Sequence, residues 1–202
     1  MLLVKPSIKI LNISTEDALQ MIEVAGRTCY KSEDKITADS APKFVEMVMK
    51  RGHESVIEHV NTTVRIICDR GVTHEIVRHR LASYSQESTR FCNYGKLGIR
   101  FIIPCDFELD QDDVRLLQAI EDHYNNCLSN GRTPQQARYF LPNGLKTEIV
   151  MTANLREWRH FFKLRTSAAA HPQMREVAIM LLEEMKRLIP VIFDDIQADG
   201  GE

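Results

Sequence analysis

Between residues 78 and 90 the chain reads Arg78-His79-Arg80-Leu81-Ala82-Ser83-Tyr84-Ser85-Gln86-Glu87-Ser88-Thr89-Arg90. Three guanidinium groups, an imidazole and several hydroxyls in so short a span are poor material for a core, where every polar group needs a partner. They suit a site for an anionic ligand. Guanidinium offers a rigid fork of donors matched to phosphate oxygens and to planar carbonyl edges. The same residue type recurs as Arg138, Arg156, Arg159 and Arg165, several of them beside Ser, Asn or His in otherwise apolar segments such as Gln136-Ala137-Arg138-Tyr139-Phe140-Leu141-Pro142. Singly, each arginine is an ordinary surface ion-pair former. As a set they are what binding a nucleotide requires. A Gly-x-Gly-x-x-Gly or Walker loop is missing, and Gly95-Lys96-Leu97-Gly98 has neither the glycine count nor the strand-helix context. Any nucleotide or cofactor is therefore held without that fingerprint.

The His-Glu pairs invite comparison with His-Glu-x-x-His, which sets two imidazoles on one helical face around a zinc ion. Neither completes the motif: the fifth residue is Ile57 after His53-Glu54 and Arg78 after His74-Glu75, with His79 one position late. Five helical residues turn the side chain by about 140°, so His74 and His79 would diverge, and no metal site is expected. His53-Glu54-Ser55-Val56-Ile57-Glu58-His59 admits two readings: a Ser55/Glu58 capping box with solvated imidazoles, or polar groups lining a ligand. In Asn154-Leu155-Arg156-Glu157-Trp158-Arg159-His160-Phe161-Phe162-Lys163-Leu164-Arg165 the aromatics read as helix packing, whereas Asn154, Arg156, His160 and Arg165 are candidates for a site.

These groups need elements to hold them. Val72, Ile76, Val77 and Leu81 recur at helical intervals, which predicts a helix carrying Arg78 to Arg80 at its end and running into a polar loop from Ser83 to Arg90. Ile8 to Leu11 reads as a strand. Ser14 and Thr15 are N-cap candidates for a helix through Ala18, Leu19, Ile22 and Ala25 that closes near Gly26. Ser40 precedes a helix with Pro42 in its first turn and Phe44, Val45, Val48 and Met49 on one face, ended by Gly52. Val60, Thr62, Val64, Ile66 and Cys68 alternate with polar residues, the period of a half-buried strand that favours an antiparallel sheet. Strands are also expected at 99–103 and 145–153. Helices are expected at 112–128, closed by Ser129-Asn130-Gly131, in a short turn restarting at Thr133-Pro134, and at 172–188 before Pro190. The fold class is α+β, mainly an antiparallel sheet flanked by helices, with 1–202 as a single domain.

At 202 residues and 44% hydrophobic, the chain has enough apolar matter for a sizeable core. Its net charge of -2 hides an asymmetry: residues 131–165 carry seven Lys or Arg against two acids, and 101–126 seven acids against one Arg. That points to a basic face for an anionic ligand. A nucleic-acid module is the rival reading, disfavoured by the slightly negative total and the lack of a recognised motif. Five dispersed cysteines without a Cys-x-x-Cys pair suggest reduced thiols. With no leader-like N-terminus and no apolar run long enough for a membrane span, a soluble cytoplasmic protein without membrane partners is expected.

Arg78-His79-Arg80-x-x-Ser83-x-x-x-x-Ser88-x-Arg90 resembles the signature of the flavin-dependent thymidylate synthases. Gly52-His53-Glu54-Ser55 through Glu58-His59, Ala137-Arg138 through Leu141-Pro142, Asn154-x-Arg156-x-Trp158-Arg159-His160-Phe161 and Leu164-Arg165 resemble family segments in the same order. The resemblance implies a homotetramer with FAD between subunits, methylating dUMP to dTMP with 5,10-methylenetetrahydrofolate as carbon donor and NADPH as reductant, without an enzymic cysteine nucleophile. It implies His53, Ser55, Glu58, Arg78, His79, Arg80, Gln86, Asn154, Arg156 and His160 around FAD. Around dUMP it implies Glu75, Arg78, Gln86, Glu87, Ser88, Thr89, Arg90, Arg138 and Arg165, with Arg90 and Arg138 on the phosphate. Arg165 is the expected catalytic residue, a fixed cation beside the uracil ring that stabilises negative charge there. Ser88 is expected to donate a hydrogen bond, since no His-Asp relay is placed to activate it as a nucleophile. Glu75 and Glu87 depart from the family pattern, where glutamine and leucine are more usual, and carboxylates beside a phosphate site are costly unless they point away or pair with arginine. A flavoprotein oxidoreductase that binds FAD without methylating is the remaining alternative.

Overall fold

The computed structural model describes residues 1–198. Its centre is a four-stranded antiparallel sheet in the order β2-β3-β6-β4, with β2 at Ser7–Asn12, β3 at Asn61–Asp69, β4 at Ala82–Gln86 and β6 at Lys146–Asn154. The nine-residue ladder between β3 and β6 runs from Asn61 opposite Asn154 to Asp69 opposite Lys146. The alternation expected from Val60 to Cys68 is realised: Thr62, Val64, Ile66 and Cys68 are buried, and Thr147, Ile149, Met151 and Ala153 of β6 face the same side. A separate parallel pair, β1 (Leu2–Val4) with β5 (Arg100–Ile102), packs beside it.

The apolar face of the sheet is covered by α1 (Thr15–Tyr30), α2 (Ala41–Lys50), α3 (Arg70–Ile76), α7 (Leu155–Arg165) and α8 (Pro172–Leu188). Trp158, Phe161 and Phe162 of α7 are fully buried, and the Trp158 indole N–H donates to the Thr62 carbonyl at 3.2 Å, so these aromatics are core. A smaller cluster of Tyr94, Ile99, Phe101, Tyr124, Cys127, Ala137 and Leu145 lies under α4 (Tyr94–Leu97), α5 (Gln111–Ser129) and α6 (Pro134–Ala137). A short α9 (Pro190–Phe193) follows α8.

Helix termini follow local chemistry. Ser14 accepts from the Asp17 amide at the start of α1, and Thr133 and Gln136 form a capping box on α6. Gly52 (φ 70°) and Gly131 (φ 82°) supply the left-handed residue after α2 and α5; the His53 amide reaches the Val48 carbonyl and the Arg132 amide that of Cys127. Other expectations are corrected. Helix α1 does not close at Gly26 but runs on to Tyr30, with Lys31 as its left-handed cap. Gly26 instead admits the Phe44 ring, which a Cβ there would meet at 2.6 Å. The Ser40 hydroxyl donates to Glu23, not to a helix-capping role on α2. Residues Glu54–His59 form a 3-10 helix without a side-chain cap, so the Ser55/Glu58 capping box is not made.

The largest correction lies at the signature segment. Helix α3 ends at Ile76, well before Leu81, and Ala82–Gln86 is an edge strand where a loop was expected. The Tyr84 hydroxyl on β4 reaches back to the carbonyls of Ile76 (3.0 Å) and His79 (2.5 Å), satisfying helix-end acceptors. The intervening turn exposes Arg78 and Arg80 and buries His79.

Candidate active site

Two groups of polar side chains form at opposite ends of β4. Strand β4 runs antiparallel to β6, so its start lies beside the end of β6 and the helix α7 that continues from it, while its end lies beside the start of β6. Four residue intervals at ~3.4 Å put the two ends roughly 14 Å apart.

At the first end, Arg165 is held on three sides. Its Nε donates to His79 Nε2 at 3.1 Å, Nη1 to the Glu75 carboxylate at 2.7 Å and Nη2 to the Glu75 carbonyl at 3.1 Å. Glu75 thus meets the condition set by its charge: it pairs with an arginine. His79 Nδ1 faces Glu157 Oε1 at 3.2 Å, and the ring packs on Phe161 at 4.9 Å. Burial holds the His79 pKa below the ordinary histidine value, against the raising effect of the Glu157 hydrogen bond; Arg165 and His160 also lower it. His79, Glu157 and Arg165 line a groove of about 690 Å³ with Arg78, Arg80, Leu81, His160 and Lys163. Four cations face one carboxylate there, and neither Arg78 nor Arg80 has an ion-pair partner among the described residues.

The exposed stripe of α7 carries this groove further. Arg156, His160 and Lys163 fall on one helical face, and the Arg156 guanidinium donates to Glu58 on the 3-10 segment. Asn154 caps α7 by accepting from the Glu157 amide at 2.8 Å. His53 is exposed with Nδ1 3.4 Å from the Tyr30 hydroxyl, and Ser55 is exposed close by. Arg159 is different in kind. It is buried and tied to Glu54, Asp195 and the Ile192 carbonyl, a structural ion pair joining α7 to the chain's end.

The second end gathers the rest. Thr89 is buried and accepts from Arg138 Nη1 at 3.2 Å; Arg90 Nε donates to Gln135 at 2.9 Å. Ser88 Oγ accepts from the Arg90 amide, and no imidazole or carboxylate reaches it among the described residues. Glu87 accepts from the Tyr94 hydroxyl at 2.7 Å and pairs with Lys146 at 3.0 Å, so its charge is neutralised by a lysine rather than an arginine. Gln86 turns its amide inward to Thr73 (3.0 Å) and Thr147 (3.5 Å).

Four participants were not singled out from sequence: Glu157, Tyr84, Lys146 and Tyr94. Glu157 had a readable signal, lying one turn before Phe161 on an evident helix and three residues after the Asn154 cap. His79, Glu157 and His160 also place potential ligand atoms within 4.8 Å of one another, a grouping that the search for His-Glu-x-x-His passes over. Both His79 nitrogens are already hydrogen-bonded there, one to a permanent cation, so the cluster is built as a hydrogen-bond network.

Comparison with known proteins identifies the family of the chain. Residues 11–191 match the family model described as thymidylate synthase complementing protein. A flavin-dependent thymidylate synthase of Geobacter sulfurreducens is 33% identical over 192 residues, covering 90% of this chain and 83% of that protein. The enzyme of the same name from Corynebacterium efficiens is 36% identical over 211 residues, covering 90% and 82%. The fold is shared with a UMP/dUMP methylase from Streptomyces cacaoi crystallised with 5-Br dUMP, at TM-score 0.74 and 23% identity over 96% of each chain. With a family match spanning most of its length and relatives above 30% identity over more than four fifths of theirs, the chain belongs to the flavin-dependent thymidylate synthases.

Proposed function

We propose that this protein methylates dUMP to dTMP in an FAD-dependent reaction with 5,10-methylenetetrahydrofolate as carbon donor and NADPH as reductant. The observation that carries the reading is the fixed guanidinium of Arg165 on the wall of a cationic groove, in a chain of this family. Three of its five N–H groups are taken up by His79 and Glu75, which leaves two for a ligand. Uracil C5 is a weak nucleophile until negative charge builds on the ring, and a preorganised cation aimed at the ring carbonyls stabilises that charge without reorganising.

The residues of the groove fit FAD. Arg78 and Arg80 present unpaired cations suited to a diphosphate, and the α7 stripe from Arg156 to His160 continues towards Glu58, Ser55 and His53, giving an elongated dinucleotide a long polar track. Asn154 borders that track. When bound, the flavin supplies the reducing equivalents that complete the methyl group. The dUMP phosphate is assigned to Arg90 and Arg138, with the Ser88 hydroxyl and the turn from Glu87 to Thr89 beside them; Gln86 and Lys146 hold that turn against β6.

Nucleotide-phosphate and ring-binding groups lie at opposite ends of β4, and large apolar side chains flank both: Leu81 is 73% exposed, Phe91 79% and Tyr139 85%. This supports a homotetramer in which one chain's phosphate loop meets another chain's Arg165. Among the described residues no cysteine lines the Arg165 groove; Cys92 lines a groove with Gln86, Glu87 and Lys146 at the other end of β4, and the Cys105 thiol is pushed up to about 11 by burial and by Glu176. A reaction without an enzymic thiol nucleophile is in keeping with that placement. We assign the protein to the cytoplasm; no helix among the described residues is long and apolar enough to cross a membrane.

The test is direct. Purified protein loaded with FAD should show a flavin spectrum and form dTMP only when dUMP, methylenetetrahydrofolate and NADPH are all present. Failure to bind FAD overturns the reading, and NADPH oxidation without dTMP would favour the plain oxidoreductase.

A further inference from the structure

The groove contains a carboxylate that needs a reason. Glu157 is 7% exposed, and among the described residues its side chain forms no ion pair with a lysine or arginine; its partner is the Nδ1 of His79, itself 5% exposed. The protonation of that imidazole follows by elimination. Arg165 Nε carries a hydrogen and cannot accept one, so His79 Nε2, 3.1 Å away, must offer its lone pair. A neutral ring then carries its proton on Nδ1, where Glu157 is the acceptor.

We propose that Glu157 is a positioning residue for Arg165: by holding His79 as the Nδ1–H tautomer it makes Nε2 an acceptor, and that acceptor aims the guanidinium. The inference rests on the reading of Arg165 given above. Two clamps then act on one fork, His79 at the Nε edge and Glu75 at the Nη edge, so the remaining N–H groups have a single direction. Without Glu157, the Nδ1–H is either left buried and unpaired or moves to Nε2, where it would oppose the Arg165 Nε–H donor to donor. Phe161 and His160 pack against the ring and restrict its rotation away from that clash.

The charged and titratable groups facing His79 are Glu157, His160 and Arg165 from α7, Glu75 from α3 through Arg165, and Arg78 and Arg80 from its own turn; Tyr84 on β4 reaches its carbonyl. Four of the seven side chains, His160, Arg165, Arg78 and Arg80, are cationic or become so at low pH. That setting, with burial, keeps the imidazole neutral and available as an acceptor.

The experiment uses full-length protein loaded with FAD. Nitrogen-15 spectra of histidine-labelled protein, with the His79 signal identified by its loss in His79→Gln, should show a protonated Nδ1 and a bare Nε2 at neutral pH. Glu157→Ala should lose that pattern and lower kcat roughly 10- to 100-fold, the range for removing the outer partner of an oriented histidine. KM for dUMP and flavin content should stay within about threefold. Glu157→Gln, whose amide oxygen can accept from Nδ1–H, should restore most of kcat, which a purely electrostatic role for the carboxylate would not allow. A wild-type ring protonated on Nε2, or a Glu157→Ala protein with unchanged tautomer and unchanged kcat, overturns the inference. The tautomer is read without turnover, so a wild-type protein that makes no dTMP would refute the proposed function separately.

Discussion

Arg165→Ala is the substitution whose consequences are worked out most fully by the geometry. The side chain offers two free N–H groups to the groove, and removing one preorganised donor from a site of developing negative charge costs ~2.7–4 kcal/mol, or about 10²–10³ in kcat. The fold bears a smaller loss. His79 Nε2 is left without its donor in a buried setting, at about 1–2 kcal/mol, whereas the Glu75 carboxylate is 34% exposed and can be rehydrated. For a chain of this size that is a fall in Tm of roughly 2–8 °C. Arg78, Arg80, Arg156 and His160 are untouched, so the flavin spectrum should persist. The assay is dTMP formation in single-turnover mode at saturating dUMP, with flavin absorbance read in the same sample. Arg165→Lys should fall between wild type and alanine, since an ammonium keeps the charge but not the fork that spans His79, Glu75 and a ligand. A kcat for Arg165→Ala within fivefold of wild type, with flavin and dUMP bound, would refute the assignment of ring stabilisation to this residue.

Further outcomes follow from other contacts. Glu75→Gln keeps a hydrogen-bond acceptor for Arg165 but removes a partly exposed charge, so kcat or KM for dUMP should move by no more than a few-fold, as expected of a pair contributing ~0–1 kcal/mol; complete inactivity would show that the carboxylate itself takes part. Ser88→Ala should weaken dUMP binding while turnover persists, and a protein that still binds dUMP yet makes no dTMP would revive a nucleophilic serine. Gly26→Ala should destabilise by about 1–3 kcal/mol, because its Cβ would stand 2.6 Å from the Phe44 ring, and Phe44→Leu should recover part of the loss in the same thermal melt. The depressed pKa of His79 means the unfolded chain binds more protons below about pH 6.5, so stability should fall as pH drops through that value. Denaturant titrations should show this slope shrink in His79→Gln.

The signature segment shows what was legible and what was not. Its residue types point to an anion site, and the resemblance to the family implies which ligands they would meet, because donors and cations are properties of side chains that survive in one dimension. Its backbone was misread. Periodicity carried the helix from Val72 through Leu81, but the chain leaves the helix after Ile76 since Tyr84 supplies partners for the terminal carbonyls from a strand further along. Strand β4 had no readable pattern: Ala82, Tyr84 and Gln86 face inward and Ser83 and Ser85 outward, with polar atoms on both faces, so it exists through its ladder with β6. The turn that results is what sends Arg78 and Arg80 outward and His79 inward.

Sequence alone was sufficient for the elements whose burial repeats with a period of their own, such as β3 and α8, and for helix ends marked by Ser14, Gly52 and Gly131. It was sufficient also for the family, since spacing between site residues is conserved information in one chain. Tertiary structure alone decided which arginine is structural and which is poised: Arg159 is enclosed by Glu54 and Asp195, while Arg165, six residues on, is clamped at the groove by His79 and Glu75. It also decided that Glu157 faces an imidazole rather than solvent. The physical reason is common to both. A charge's role depends on the dielectric and the partners around it, and for these residues the partners lie about 35 to 105 positions away along the chain.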